Sequence, residues 1–564
     1  MSQQSTPAVS GSRNDQDLIL GPMLRHVDDT SASIWVETAR SCTVEVRCGA
    51  HTWRAPTFGA HGHHYALVGV TGLDVGSVNP YSVHLDGEPV WPREDGFPES
   101  MMATIDPVKK PRLAFGSCRT SIPHDAAGNR KHGVDAMRAY ALSMAGAGHG
   151  PWPDLLLFLG DQVYADSTSD QMREFIRSRR DIRQEPGAEL KDFEEYAHLY
   201  RLAWSDPANC WLLSTLPSAM IFDDHDIRDD WNSSLSWKQD MEQTSWWHER
   251  IVAGLGSYWI YQHLGNLSPD ERAADPLWQR IQAHTGPEEL DITADLDRFA
   301  ERVDAAPEEY SWSYCRDWDT VRLIVVDSRA ARTLDPETRA LLDPPQSAWL
   351  DERMRGGFRH LLIGTSLPFL LPMGLHHVEA WNEALSSREH GQIRAWLGER
   401  LRRAVDLEHW AAFQKSFQDV ARWATEVADG QRGPAPQSVT FLSGDVHFSY
   451  VSEVERENGS RILQAVCSPI RNPLPRFMRY FAAALALGPA VPFGAWMART
   501  SHVPDPPFRW DGIKGPWFDN NLAILEDTED GLVISWVTGV VEHGDHLHPR
   551  LETVEVAAIA PREG

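Results

Sequence analysis

Six apolar runs of strand length recur between residues 112 and 445, and most of them stop on residues that can hold a metal ion. They read R-L-A-F-G-S-C (112–118), D-L-L-L-F-L-G-D (154–161), S-A-M-I-F-D-D (218–224), V-R-L-I-V-V-D (321–327), H-L-L-I-G-T-S (360–366) and S-V-T-F-L-S-G-D (438–445). Continuous apolar runs of this length suit strands buried on both faces. Helix-compatible segments such as 171–204 and 384–426 separate them, and this alternation predicts an α/β layer with a partly parallel sheet. Runs at 461–467, 521–526 and 531–541 predict further strands. Ligands gather beyond the carboxyl ends of strands in such sheets, so the residues placed there carry the functional reading.

A different pattern precedes this part. Short alternating segments S-I-W-V-E-T (33–38), T-V-E-V-R-C (43–48), H-Y-A-L-V-G-V (64–70) and Y-S-V-H-L-D-G (81–87) are divided by turn residues. They predict a small antiparallel β-sandwich over 15–106, in which Trp35 and Tyr81 resemble the fibronectin type III arrangement. Residues 1–14 are polar and expected to be disordered, and 107–564 is expected to form one catalytic domain. Helical insertions are expected near 231–310, 374–430 and 473–500, since those intervals exceed simple crossovers. The segment 477–496 is the most apolar, but Gly488, Pro489 and Pro492 break it, so a buried or lid-forming helix is favoured over a membrane-surface element.

The chain has 564 residues, with 53 basic and 80 acidic side chains and a formal charge of −27. That field disfavours general binding to nucleic acid or anionic membrane, and bound cations are the obvious means of drawing in an anionic substrate. Six cysteines lie scattered without C-x-x-C spacing, which fits a reducing compartment. The first twenty residues show no secretion signal, so a cytoplasmic protein is expected, with secretion as the alternative.

The strand ends deliver Ser117 and Cys118, then Asp161 and Tyr164, then Asp223 to Asp226, and finally Asp445 and His447. Any one of these alone reads as structural, and Cys118 alone as a buried thiol, but four strands with such ends point to a metal site. Thiolate, phenolate and a bridging carboxylate suit Fe3+, whereas Asp161, Asp224 and Asp445 suit Ca2+, Mn2+ or Mg2+. Two cations about 3.5–4 Å apart clamp a phosphate and yield a metal-bound hydroxide near neutral pH. His225 is placed to stabilise developing charge or protonate the leaving oxygen, with Asp226 orienting it. Arg119 and Arg228 are placed either to contact phosphate or to neutralise carboxylates. His124, His376 and His377 are within reach of the site from loops.

The motifs G-S-C-R (116–119), L-G-D-Q-V-Y (159–164), D-D-H-D (223–226) and S-G-D-V-H (443–447) resemble those of the PhoD-like alkaline phosphatases of the metallophosphatase superfamily. The Gly-Asp-x-x-Tyr element is also similar to purple acid phosphatases. The resemblance implies a four-layer α/β/β/α fold after the β-sandwich, acting on phosphomonoesters and phosphodiesters with ferric iron and calcium. It implies an iron shell of Cys118, Asp161, Tyr164 and His447, a second shell of Asp161, Asp224 and Asp445, and His225 as the catalytic histidine. Arg228-Asp229-Asp230-Trp231 departs from an acidic-Asn-Asn-Trp pattern, and Trp381-Asn382 from Trp-Asp. The expected substrate is a small phosphate ester. The alternatives are a phosphodiesterase acting on lipid head groups or nucleotides, and a metal-stabilised binding protein without turnover.

Overall fold

The computed structural model describes residues 17–559, apart from 149, 151, 319, 387–391, 405–406, 475–493, 495, 497, 502 and 530. The expected disordered terminus and nearly all of the apolar 477–496 segment therefore lie outside the described residues. The chain divides into two compact units.

The first unit is built from residues 1–106, 204–218 and 268–296. One sheet runs in the order Leu18–Val27, Ser31–Thr38, His63–Thr71, Phe58–Ala60 and Leu290–Asp291, and another in the order His51–Pro56, Thr43–Cys48, Ser82–Leu85 and Glu88–Trp91. Antiparallel pairing of Ile34 with Val68 and Val36 with Ala66 fixes a register in which alternate side chains turn inward. Ile34, Val36, Val44, Val46, Val68 and Val83 form the shared apolar interior. The Tyr81 hydroxyl donates to the Ser214 carbonyl at 2.7 Å, tying the Pro207–Thr215 helix to the sandwich. His64 Nδ1 lies 2.7 Å from Glu289 Oε2, beside the parallel pairing of Leu290 with Phe58. A boundary drawn at residue 106 leaves both later segments out, because a strand of two residues has no periodicity to reveal it.

The second unit contains two larger sheets. Six strands run in the order Ser218–Ile221, Leu155–Leu159, Arg112–Gly116, Leu522–Thr528, Gly531–Val540 and Arg550–Ile559. Seven run in the order Tyr314–Trp318, Val321–Val326, His360–Thr365, Ser438–Ser443, Arg461–Val466, Ser449–Val454 and Trp510–Trp517. The central pairings are parallel, as Phe115 with Leu157 and Ile363 with Phe441 show. The sheets face each other, with the Trp536 indole of one donating to the Val466 carbonyl of the other at 3.0 Å. Helix Ala136–Ala147 covers the outer side of the first sheet, and Pro344–Arg353 and Gln414–Ala428 cover that of the second. Ile324, Phe441 and Ile462 meet Phe417, Val420 and Ala424 there. Burying one such side chain stabilises the fold by about 1.5–3 kcal/mol. The result is the four-layer α/β/β/α arrangement, with the carboxyl ends of the central strands of both sheets converging.

His376 and His377 do not reach that edge as loop residues. They lie on the helix Met373–Ser386, where His376 is buried against Phe417 and Trp510 at ring distances of 4.7 and 4.9 Å. Burial, and then the neighbouring His377, push His376 down from 6.5 to about 3. Its neutral form is the one that packs, so its contribution is complete above pH 6.5 and is lost as pH falls toward 3. The loss is at most about 1.4 kcal/mol per pH unit in that window. Chemical denaturation of wild type and His376→Leu between pH 7 and 4 should show a shallower acid decline in the variant.

Candidate metal centre

Four strand ends make the site. The Arg112–Gly116 strand runs into Cys118, Leu155–Leu159 into Asp161 and Tyr164, Ser218–Ile221 into the turn Asp224–Asp226, and Ser438–Ser443 into Asp445 and His447. Cys118, Asp161, Asp445 and His447 all have positive φ, at 58°, 52°, 65° and 55°. Left-handed backbone costs a non-glycine residue roughly 1–2 kcal/mol, and such strain concentrates at functional sites. Two glycines permit the crowding. A Cβ on Gly160 would meet Asp223 Cβ at 2.7 Å, and one on Gly444 would meet Ser117 Oγ at 1.9 Å.

Cys118 Sγ lies 3.4 Å from Asp161 Oδ2, and the Tyr164 hydroxyl lies 3.3 Å from the same oxygen and 3.4 Å from His447 Nε2. Among the described residues, four sets of potential ligand atoms each fall within 4.8 Å: Cys118, Asp161 and His447; Asp161, Asp224 and His225; Asp166, His225 and Asp229; and Asp223, Asp224 and Asp445. Asp161 belongs to two of them. Cys118, Asp161, Tyr164 and His447 thus lie together, while Asp161, Asp224 and Asp445 are divided between two sets, one of which also contains Asp223.

The electrostatics of these groups favour a cation. Burial pushes the Asp161 and Asp224 carboxyls well above the usual carboxylate range. Burial beside Asp161 and Asp445 raises the Cys118 thiol, and burial next to Cys118 and Asp161 raises the Tyr164 phenol. Asp161 Oδ1 and Asp223 Oδ2 are buried without a hydrogen-bond partner. Such atoms cost free energy unless something pairs with them. A donor set of carboxylates, thiol, phenol and imidazole with uncompensated oxygens fits bound metal ions.

Several neighbours lay outside the sequence reading. Asp166 places both carboxylate oxygens 2.9 Å from His225 Nδ1, so Asp166 orients the imidazole. Asp226, expected in that role, instead accepts the Asp161 and Asp223 backbone N–H groups at 3.0 and 2.9 Å. Its other oxygen accepts from Gln262, presented by the π-helical turn Trp259–His263, at 3.0 Å. Arg329 is buried between Asp223 and Glu408, with Nη2 3.2 Å from Asp224 Oδ1. His409 bridges Glu379 Oε1 at 2.6 Å and Asp445 Oδ2 at 2.9 Å. Asp166 stands two residues after Tyr164 and Arg329 just past the Val321–Val326 strand, so proximity to a strand end was the available signal. His409 lies in an insertion and gave none.

The two arginines expected at phosphate are both committed to carboxylates. Arg119 is buried, with Nε and Nη2 on Asp135 Oδ2 at 2.9 and 2.7 Å and Nη1 on the Ala203 carbonyl at 2.6 Å. All three of its guanidinium nitrogens are thus engaged. Arg228 pairs with Glu189 at 3.0 and 3.2 Å. It does line the open cleft, about 500 Å³ in volume, together with Asp166, His225, Asp229, Asp230 and Arg403. His124 sits 3.9 Å from Asp135, on the Arg119 side. Asn382 donates to the Gly398 carbonyl at 2.8 Å and so links two helices rather than serving the centre.

This fold and edge define a metallophosphatase-type architecture. The PhoD-like phosphatase family matches residues 127–476, and a domain of unknown function (DUF7800) matches residues 15–102. The chain therefore belongs to the PhoD-like phosphatase family, and its activity class is metal-dependent phosphoric ester hydrolysis. Among solved structures, one described as "Structure of PhoD" aligns with a TM-score of 0.59 at 13% identity, over 98% of this chain and 91% of that one, which shows a shared fold. The purple acid phosphatase PPD1 from yellow lupin (Lupinus luteus) seeds aligns with a TM-score of 0.46 at 10% identity, over 92% and 71%. No curated protein matches the sequence. No helix among the described residues is long and apolar enough to cross a membrane.

Ligand binding to the folded state alone raises stability by about 2.7 kcal/mol at a hundredfold excess over Kd. Adding Mn2+ or Ca2+ to chelator-treated protein should accordingly raise the melting temperature by several degrees. In Asp224→Asn that rise should fall to half or less, as differential scanning fluorimetry would show.

Proposed function

We propose that the chain hydrolyses small phosphomonoesters and phosphodiesters at a two-metal centre bridged by Asp161. The observation that carries this is that Asp161 joins the Cys118–His447 set to the Asp224–His225 set, and His225 also lines the cleft wall. Cys118, Asp161, Tyr164 and His447 would hold Fe3+. Asp161, Asp224 and Asp445 would hold Ca2+, or Mn2+ or Mg2+. When bound, the ions supply charge neutralisation for the phosphate and acidify water at neutral pH.

The remaining work falls to the chain's own groups. Asp166 accepts from His225 Nδ1–H, which leaves Nε2 as the nitrogen available to substrate. Against the burial that lowers it, the charges of Asp166 and Asp224 hold the His225 imidazole well above its usual pKa. In its protonated form His225 would pass its Nε2 proton to the leaving oxygen, after which Asp166 keeps the neutral ring in place. Glu379 steadies His409, and His409 steadies Asp445, in the way outer hydrogen bonds orient ligands. Arg228, held by Glu189 at the cleft wall, would shape the phosphate's surroundings rather than grip it bidentately. For the amino-terminal sandwich, Trp35 and the hydrogen-bonded Tyr81 support a fibronectin type III-like accessory role.

Proton transfer by a placed side chain contributes about 10²–10⁴ in rate. His225→Ala should lower kcat/KM by at least about a hundredfold, and Asp161→Asn and Asp224→Asn should leave no measurable turnover. Retained activity in all three would refute the assignment. Comparing kcat/KM for p-nitrophenyl phosphate and bis-p-nitrophenyl phosphate decides between monoester and diester preference, and a metal-loaded protein inert to both would favour the binding-protein alternative.

A tyrosinate on ferric iron absorbs visible light, so the metal-loaded protein should be coloured and should contain iron by elemental analysis. Tyr164→Phe should bleach it. Active, fully loaded protein without iron would remove the ferric assignment.

A further inference from the structure

A second cavity, about 420 Å³ in volume, shares Arg403 with the catalytic cleft. Its lining is unusual for a chain with a formal charge of −27, since four arginines (Arg339, Arg400, Arg402 and Arg403) line it with two carboxylates, Glu383 and Glu399, although Arg403 is also paired with Asp240 at 2.6 Å. Both carboxylates are already engaged. Glu399 accepts from the Ser234 and Ser236 hydroxyls and from Arg402 Nη1 at 2.9 Å. Glu383 accepts the Gln414 N–H at 2.9 Å, and burial pushes its carboxyl up against the opposing charge of Arg339.

The arginines are less well served. Arg402 is only 3% exposed, yet its Nε and Nη2 have no hydrogen-bond partner. Those two nitrogens form the edge of a guanidinium that grips two oxygens of a single oxyanion in parallel. Arg339 is also buried and spends Nε and Nη2 on the Ala412 and Ser233 carbonyls at 3.1 and 2.8 Å. Burial, and then the charge of Arg402, push Arg339 well below the usual arginine range. Two buried guanidinium groups thus lie close enough to repel each other at the cavity wall, and two nitrogens of one of them are left without a hydrogen-bond partner. Leu235, Leu334, Pro336 and Trp396 supply an apolar wall, and Arg400 stacks on Trp396 at 5.0 Å.

We propose that this cavity is a second oxyanion subsite, which takes a phosphate group carried on the alcohol part of the ester held at the metal centre. The preferred substrates are then phosphate esters bearing a second phosphate, joined through an apolar or aromatic linker. The assignment of that second phosphate to substrate rests on the phosphoesterase reading, whereas occupancy of the cavity by phosphate does not. A free phosphate ion offers the same chemistry.

The test is calorimetric binding of non-hydrolysable alkane-1,ω-bisphosphonates with three to eight carbons to the metal-loaded protein, each compared with the matched alkylphosphonate. At one chain length the bisphosphonate should bind at least tenfold more tightly. The gain should vanish in Arg402→Gln and in Arg400→Gln, the latter an exposed position whose change leaves the core intact, while alkylphosphonate affinity stays within twofold. If inorganic phosphate added to the alkylphosphonate complex gives a second binding event, lost in the same variants, the subsite stands with free phosphate as its ligand. Equal affinities at every length with no second event, or parallel loss of both affinities in the variants, would overturn it. Because no turnover is needed, an inactive protein that shows the gain sinks the phosphoesterase reading and leaves the subsite standing.

Discussion

Mutual repulsion among buried carboxylates is the constraint on which the rest of this molecule depends. Asp161, Asp223, Asp224 and Asp445 are brought to one edge by strands that two sheets hold in fixed parallel register. Nothing in an apolar interior tolerates that density of negative charge without compensation. One permanent cation is built in: Arg329 pairs with Asp223 and approaches Asp224, so part of the charge is answered before any ion arrives. Arg329 also pairs with Glu408, which limits what it can give to the centre. Bound cations would answer the rest, and the positive backbone angles at Cys118, Asp161, Asp445 and His447 place strain at the same edge.

The surrounding hydrogen bonds divide into two kinds. Asp226, tied to two backbone N–H groups and to Gln262, holds the loops that carry Asp161 and Asp223, so it fixes geometry without facing the cleft. Asp166 and His409 act on functional side chains directly, Asp166 on His225 and His409 on Asp445. The thiol and phenol stand on one side of Asp161, and Asp224 with Asp223 on the other. That asymmetry is what would let two chemically different ions occupy neighbouring positions.

Much of this was legible in the sequence because buried parallel strands leave long apolar runs, and their ends can be counted. Cys118, Asp161, Tyr164, Asp224, His225, Asp445 and His447 all stand just past the ends of such runs. Pairings between distant segments leave no such trace. Asp226 was taken as the partner of His225 because it is adjacent in sequence, but the 3₁₀ turn Asp224–Asp226 sends its carboxylate to the backbone while Asp166 closes on the imidazole from another loop. Arg119 and Arg228 were ambiguous for the same reason: an arginine near a site can face a carboxylate or a ligand, and only the fold shows Asp135 and Glu189 waiting for them. The first compact unit likewise takes in 204–218 and 268–296 through a helix, a side-chain contact and a two-residue strand, none of which leaves an apolar run to count.

The long-range field of this protein works against its own chemistry. A formal charge of −27 repels phosphate esters at distances beyond contact, although salt near physiological strength screens this within about 8 Å. Recognition must therefore be local. The cleft around His225 carries Asp166, Glu189, Asp229 and Asp230, and its arginines are already paired, Arg228 with Glu189 and Arg403 with Asp240 at 2.6 Å. Such a cleft has little positive charge to spare for a substrate apart from what bound metals bring. The adjoining cavity reverses that balance with buried guanidinium groups whose partners are too few. An ester with one phosphate would thus depend on the metals and His225, whereas an ester with two would meet cationic groups at both ends, which makes charge placement rather than shape the first determinant of selectivity here.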